Sequence, residues 1–263
     1  MVYETYQGKL LRERHREYVR VRLIASDILK ALQRELRRNQ LGSDNGQAKK
    51  GSKVATQHLQ GLKWEMAVID EPDEINAGCF PGGKIVVFTG LLDHLKTDAE
   101  IATILAHEVG HVVARHGAEK ISNRMCFLFL RIILRILTGG PTTTINEICK
   151  YFLLDLPLCR RREKEADYIG LLLLASAGYD PRCAPQVYEK FDELGELGTS
   201  LLGYLTTHPS GKTRAQLLSQ DKVMKEAIII YKESCSRRDT KRRVWFLCGL
   251  WFFTLLCIIL LCC

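Results

Sequence analysis

The sequence predicts a mainly helical α+β protein with a small β-sheet or hairpin and a C-terminal transmembrane helix. Three observations support this fold class. Apolar residues recur at helical spacing in several segments, β-branched and aromatic residues concentrate between Trp64 and Thr89, and residues 244–263 carry no charge. A length of 263 residues accommodates one sizeable domain with appendages.

Residues 1–53 predict an amphipathic helix and a loop that pack on the main domain. From Tyr18 to Arg38 the apolar residues are three or four positions apart, and the basic residues lie largely off that stripe. Residues 41–53 are rich in glycine, serine and asparagine, which is typical of a loop. The main domain is then expected over residues 54–235.

Short extended segments precede the central helix of the main domain. Trp64 to Asp70 predicts a strand, and two further segments, Ile75 to Phe80 and Lys84 to Thr89, flank the turn at Pro81-Gly82-Gly83. Thr97-Asp98-Ala99-Glu100 has the form of a capping box, so a helix is expected to begin there.

Several helices are expected after that point. Met125 to Leu137 is apolar but contains Arg131 and Arg135, so it predicts a buried or interfacial amphipathic helix and not a membrane span. Further helices are predicted from about Arg161 to Ala177, Ala184 to Leu194 and Lys212 to Tyr231.

Residues 236–263 predict a basic flank and a membrane anchor. Val244 to Cys263 is uncharged and long enough to cross a hydrocarbon core of about 30 Å, with a tail folded back on a soluble protein as the alternative. The net charge of +8 comes without a nucleic-acid-binding signature, so the expected partner is a membrane and not a nucleic acid. Ten scattered cysteines without a Cys-x-x-Cys pair exclude a disulfide framework.

The segment His107-Glu108-Val109-Gly110-His111 predicts a metal site. On a helix, His107 and His111 lie one turn apart on the same face, where two imidazole nitrogens can bind one metal ion. Glu108 is offset around the helix and can act as a general base toward a water molecule. Because so short a motif recurs by chance, its helical context matters more than its letters.

A third ligand has to come from elsewhere in the chain, since Ala114 and Gly117 stand where a metzincin has Gly and His. Glu163 and Asp167 are one helical turn apart, as in thermolysin-type sites. Glu163 is therefore the preferred ligand, and Asp167 is expected to orient a ligand histidine. Glu165 is the alternative, but it points about 200° away around the helix, so both glutamates cannot serve. Two histidines and a glutamate leave the fourth zinc position for water.

Three separated strings, HEVGHVVARH, EKEADYIG and NAGCFPGGKIVVFTGLL, resemble the membrane metallopeptidases grouped with the CaaX-prenyl protease. The resemblance is nearest to the Oma-type peptidases of mitochondrial inner-membrane quality control, particularly the plant form, and it extends from about Gly8 to Tyr231. It implies a gluzincin-type domain with one Zn²⁺. The implied ligands are His107, His111 and Glu163; Glu108 is the implied base, and Asp167 the orienting or proton-donating carboxylate.

The resemblance also implies roles outside the metal motif. His208 corresponds to a His-Pro element and is expected to donate a hydrogen bond to a developing oxyanion, with Arg214 pairing with a carboxylate nearby. An edge strand that binds extended peptide by strand addition is implied at Asn76, Ala77 and Gly78, although Gly78 replaces the large residue that the family has there. No site role is expected for the remaining histidines of the domain, His58, His94 and His116.

The predicted function is hydrolysis of internal peptide bonds in membrane or misfolded proteins by a zinc metalloendopeptidase. The alternative is a membrane-tethered interaction protein that keeps the fold without catalytic competence; the complete set of ligand types argues against it. The resemblance implies the mitochondrial inner membrane, although no transit peptide is visible in the first residues. Substrate identity and oligomeric state stay open.

Overall fold

The computed structural model describes residues 5–44, 56–138, 156–196, 208, 211–238 and 240. The mainly helical α+β class with a small sheet is confirmed. The strands are β1 (Glu65–Ile69), β2 (Ala77–Phe80) and β3 (Lys84–Phe88). The helices are α1 (Arg16–Asp44), α2 (Thr89–His94), α3 (Asp98–Val113), α4 (His116–Thr138), α5 (Leu156–Ser176), α6 (Cys183–Glu196), α7 (Gly211–Leu218) and α8 (221–238).

The three strands form one sheet with β3 in the centre. β1 runs parallel to β3, and β2 pairs with β3 antiparallel through the turn at residues 81–83. Gly82 and Gly83 hold φ angles of 91° and 83°, a region that glycine enters without steric cost. β2 is thereby an edge strand, and it lies beside α3.

The hydrophobic core surrounds α3. Ile101, Ile104 and Leu105 of this helix are each about 1% exposed, and the apolar face of α1 joins the same cluster through Val21 and Ile28. The N-terminal helix therefore packs against the helix that carries the histidines. The helix extends to Asp44, so the loop predicted from Leu41 begins later; polar residues alone do not end a helix whose hydrogen bonds continue.

Two glycines allow α3 and α5 to approach each other closely. A Cβ on Gly110 would lie 2.7 Å from the Ala166 carbonyl oxygen, and a Cβ on Gly170 would lie 2.9 Å from the His107 Cα. Only glycine fits where the partner atoms belong to a rigid helical backbone. The close approach brings the acidic part of α5 against the histidines of α3.

The helix predicted at Met125–Leu137 forms the C-terminal part of α4. The buried alternative is wrong, because Ile132 and Ile136 are 47% and 75% exposed. None of the helices within the described ranges is both long and apolar enough to cross a membrane. The span predicted at residues 244–263 lies outside those ranges.

Candidate metal centre

The helix that carries the histidines begins with a defined cap. The Thr97 hydroxyl accepts a hydrogen bond from the Glu100 backbone N–H at 3.2 Å, and the Glu100 carboxylate accepts one from the Thr97 N–H at 2.7 Å. This reciprocal pair confirms the predicted capping box. The cap sets where α3 begins, and His107 and Glu108 follow in its buried third turn.

Four side chains meet at the end of α3. His107 Nε2 and His111 Nε2 are 3.1 Å apart, and Glu163 oxygens lie 3.4 Å from each of them. His208 Nδ1 lies 3.2 Å from His107 Nε2 and 2.8 Å from Glu163 Oε2. One ligand atom from each of the four residues lies within 4.8 Å of the others.

The structure brings Glu163, and not Glu165, to the two histidines. Glu163 points from α5 into the cluster and its residue is 5% exposed. The Glu165 side chain is 48% exposed and lies instead 3.5 Å from His116 Nε2. The two carboxylates diverge because two residues correspond to about 200° of helix rotation.

Asp167 lies on the far side of the His107 ring. Its Oδ1 is 2.9 Å from His107 Nδ1, and both of its oxygens accept hydrogen bonds from Arg214, at 2.6 and 2.8 Å. The expected pairing of Arg214 with a carboxylate is confirmed. The guanidinium also lies 4.0 Å from the centre of the Tyr188 ring, so it is held by an aromatic face as well as by Asp167.

His116 occupies an equivalent position beside His111, which sequence reasoning missed. Its Nδ1 is 2.8 Å from His111 Nδ1, and the residue is 4% exposed. The sequence predicts no site role for this histidine, since on a continuous helix it would lie well round from His107 and His111, but α3 ends at Val113. Arg115 then adopts a φ of 60°, which turns the chain and brings His116 back toward the site. No pattern in the sequence predicts that turn.

Glu108 is held by one oxygen and open at the other. Its Oε2 accepts a hydrogen bond from the Cys79 backbone N–H at 3.2 Å, which ties the glutamate to the edge strand β2. Its buried Oε1 has no hydrogen-bond partner among the described residues. Such an oxygen, 3.4 Å from His208 Nε2, is available to a water molecule at the centre.

The strand residues singled out from the sequence lie next to this glutamate. Ala77 and Gly78 belong to β2, and Asn76 immediately precedes it, accepting a hydrogen bond from the Phe88 N–H through its carbonyl. The Asn76 side chain accepts from the Ala77 N–H at 2.9 Å. A side chain would fit at Gly78, since an added Cβ would make only a van der Waals contact with the Phe80 ring at 3.7 Å.

Burial and neighbouring charges perturb the pKa values of the cluster. Burial and Arg214 oppose protonation of His107, but hydrogen bonds to Asp167 and Glu163 outweigh them and raise its pKa to about 9. Burial and the neighbouring His107 lower the pKa of His111 to about 2. Burial opposes ionisation of both carboxylates, but their neighbours outweigh it. Contacts with His107 and His208 lower the pKa of Glu163. The charge and hydrogen bonds of Arg214 lower the pKa of Asp167.

The donor set fits zinc. A tetrahedral ion with bonds of about 2.0–2.1 Å places its ligand atoms roughly 3.3 Å apart. The His107 and His111 Nε2 atoms are 3.1 Å apart, and they lie 3.4 Å from Glu163 Oε2 and Oε1 respectively. Two imidazoles and an ionised carboxylate are ligands that zinc accepts. Asp167 and His116 lie at the Nδ1 atoms of His107 and His111, the position from which partners of metal-bound imidazoles orient the ring.

A helix-borne His-Glu-x-x-His set combined with a glutamate from a second helix defines the zincin class of metallopeptidases. The chain belongs to peptidase family M48, which it matches over residues 46–222. The resemblance indicated by the three sequence strings is confirmed. Members of this family depend on zinc.

Among curated relatives, the chain is 46% identical to the mitochondrial metalloendopeptidase OMA1 of Arabidopsis thaliana, over 88% of this chain and 56% of the relative. It is 39% identical to the mitochondrial metalloendopeptidase OMA1 of Schizosaccharomyces pombe, over 64% of this chain and 49% of the relative. The β-barrel assembly-enhancing protease of Escherichia coli is 27% identical, over 54% and 31% respectively. The chain thus spans about half the length of the first two.

Proposed function

We propose that this chain is a membrane-associated zinc metalloendopeptidase that hydrolyses internal peptide bonds of membrane or misfolded proteins. One observation carries the proposal. The Nε2 atoms of His107 and His111 are 3.1 Å apart and each lies 3.4 Å from one oxygen of Glu163, close to the spacing of ligand atoms around tetrahedral zinc. The Oε1 of Glu108, which has no hydrogen-bond partner among the described residues, lies 3.4 Å from His208 of the same cluster. Family membership and the names of the relatives support it.

Each residue of the proposed site has a defined role. His107, His111 and Glu163 hold one zinc ion, which when bound polarises the scissile carbonyl and acidifies water. Glu108 takes the proton of the attacking water on its open oxygen and passes it to the leaving amine. Its second oxygen stays on the Cys79 N–H, which keeps the carboxylate aimed at the centre.

Asp167 and Arg214 act through His107. A carboxylate on Nδ1 holds the ring in the tautomer and orientation that leave Nε2 for the metal. The bidentate Arg214 contact fixes Asp167 in turn. Asp167 is thereby a positioning residue. Of the two roles that the resemblance implies for it, the contact with His107 supports the orienting role more directly than the proton-donating one.

The substrate is proposed to bind as an extended strand along β2. Asn76, Ala77 and Gly78 lie on the edge strand, and Cys79 connects the strand to Glu108. Backbone pairing of this kind accepts many sequences, which suits a peptidase acting on misfolded proteins. Gly78 leaves room above the strand because it presents no side chain to the peptide.

The proposed location is the mitochondrion, at its inner membrane, which rests on the named mitochondrial relatives and on the uncharged segment 244–263. A single zinc ion per chain and protein or peptide substrates complete the proposal, and no nucleic acid takes part.

Metal analysis of purified protein tests the site. Wild type is expected to hold one zinc per chain, and Glu163→Gln to lose it, while the matched Glu165→Gln retains it. Loss in Glu165→Gln alone would overturn the ligand assignment.

Turnover tests the activity separately. Glu108→Gln is expected to keep zinc and to lower cleavage of an unfolded protein by several orders of magnitude, because the general base is removed. Chelation should abolish cleavage in wild type. Stoichiometric zinc with no cleavage of any unfolded substrate would instead support the non-catalytic interaction protein.

A further inference from the structure

Helix α4 carries a continuous apolar face that points away from the protein. Seven of the thirteen exposed large hydrophobic side chains among the described residues lie on this helix. Five of them form the α4 apolar face, spaced by four, three, four and four positions: Ile121, Met125, Leu128, Ile132 and Ile136. Their exposed fractions run from 44% to 75%. Phe129 and Ile133, at 59% and 54%, widen it on one side.

A row of cations borders this face on its other side. At 100° per residue the five apolar positions fall within about 80° of the helix circumference, and the basic positions within about 60°, centred roughly 90° away. The basic residues are Lys120, Arg124, Arg131 and Arg135, all exposed. Glu119 is the one acidic residue in the helix sequence.

We propose that α4 docks the catalytic domain on an anionic bilayer surface, lying in the plane of the interface. An interfacial helix places its apolar face among the acyl chains, and cations at its flank reach the lipid phosphates. Anionic lipids attract such cations in addition to the apolar contribution. Three arginines within residues 121–138 make a transmembrane path for the same helix costly.

The cation row favours a bilayer over a second copy of the chain. Two α4 helices packed antiparallel through their apolar faces would bring two rows of like charge to the same side of the interface, with only Glu119 in each to offset them. In a parallel pair each row would instead lie against the apolar flank of Phe129 and Ile133 on the other helix, which offers no opposite charge. Lipid phosphates supply the opposite charge at every position along the row. The charge pattern is therefore complementary to the bilayer and unfavourable for self-association.

Docking through α4 would also place the metal centre near the lipid surface. α4 begins at His116, whose imidazole lies 2.8 Å from that of His111. Peptide bonds just outside the bilayer would then reach the site most easily. This last consequence rests on the proposed peptidase function, whereas the docking surface does not.

Hydrogen–deuterium exchange on the full chain tests the docking. The probes are vesicles of phosphatidylcholine alone and vesicles of phosphatidylcholine and phosphatidylglycerol in equal parts. We expect exchange in residues 116–138 to slow with the anionic vesicles only, with no change in α6 or α8. Exchange is measured within α4 itself, so binding of the uncharged segment 244–263 to the vesicles would not by itself produce this protection.

Two sets of variants separate the apolar and ionic contributions. Leu128→Ser with Ile132→Ser and Ile136→Ser should abolish the protection. Arg124→Gln with Arg135→Gln should weaken vesicle partitioning roughly 25-fold, at about fivefold per cation. The matched control is Leu23→Ser with Ile229→Ser, at two equally exposed positions on other helices, which should change nothing.

Three results would overturn the proposal. The first is unchanged exchange in α4 with anionic vesicles. The second is protection without vesicles that grows with protein concentration, which would show that a second copy covers the face. The third is protection without vesicles that does not depend on concentration, which would show that another part of the chain covers it. Glu108→Gln should dock like wild type, so a failed peptidase proposal and a failed docking proposal are distinguishable.

Discussion

Gly170 lies directly against the backbone of His107, with the position of an added Cβ 2.9 Å from the His107 Cα and 3.0 Å from its nitrogen. Neither partner atom can move without displacing α3. The metal centre thus depends on a backbone-to-backbone contact between α3 and α5 at Gly170, where no side chain separates the two helices. Glu163 and Asp167 reach the histidines only because this contact is so close.

Gly170→Ala is expected to separate the two helices and weaken the site. Overpacking at a rigid contact costs about 1–3 kcal/mol of unfolding free energy, and zinc affinity should fall with the displaced Glu163. Denaturant unfolding and zinc titration against a competing chelator measure the two effects. Gly117→Ala, where an added Cβ meets nothing within 4 Å, is the control and should leave both unchanged or slightly improved. Equal effects of both substitutions would contradict the packing argument.

Arg214→Ala is expected to lower zinc affinity 10- to 100-fold, because Asp167 loses its bidentate partner and no longer orients His107. Leaving a buried carboxylate unpaired should also cost about 3–5 kcal/mol of stability. The comparison is Arg182→Ala, which breaks the exposed pair with Asp180 and should cost less than about 1 kcal/mol. Unchanged affinity in Arg214→Ala would show that Asp167 needs no anchor.

His116→Ala is expected to reduce zinc affinity about tenfold while leaving the fold intact, because His111 loses the hydrogen bond at Nδ1 that orients its ring. A competition titration of zinc against a chelator gives the affinity, and circular dichroism gives the fold. His58→Ala, a histidine bonded to the Val112 carbonyl and outside the cluster, serves as the control and should bind zinc like wild type. If both variants bind zinc with the same affinity, His116 does not orient His111 and its role is structural.

His208→Ala is expected to lower kcat about 10²–10³-fold through loss of an oxyanion donor, with zinc retained by the other three ligands. Its Nδ1 lies 2.8 Å from Glu163 in the structure, so it has to turn from that carboxylate to meet a substrate oxygen. Steady-state kinetics beside metal analysis separates the roles. If the variant loses zinc, His208 belongs to the ligand set and not to the oxyanion donors.

The cap of α3 gives a prediction with a defined pH dependence. Partial burial opposes ionisation of Glu100, but Lys190 and Thr97 outweigh it and lower its pKa. A group whose pKa is lower in the folded protein contributes stability above its unfolded pKa of about 4.3, and that contribution disappears as the pH falls through the folded pKa. Glu100→Gln should therefore cost about 1 kcal/mol at neutral pH and progressively less in acid, as measured by denaturant unfolding. A pH-independent difference would locate the effect elsewhere.

Local patterns carried much of the architecture. The capping box at Thr97 and Glu100, the turn at residues 81–83 and the stripe of α1 each depend on residues close in sequence, so each could be predicted from spacing. The end of α1 was placed too early because loop-forming composition does not by itself break a helix. The exposure of α4 was also undecided by pattern, since an amphipathic stripe can face a core or a membrane equally well.

By itself the sequence determined the chemistry: two histidines and a base on one helical turn, with a carboxylate pair on another helix. Helical periodicity fixes the directions of residues within one element, and that is all such an inference needs. Only the tertiary structure decided that Glu163 reaches the histidines and Glu165 does not, and that His116 returns to His111 after the turn at Arg115. Those choices depend on how closely two helices approach and on one backbone angle. Neither quantity is periodic, so neither can be read from spacing.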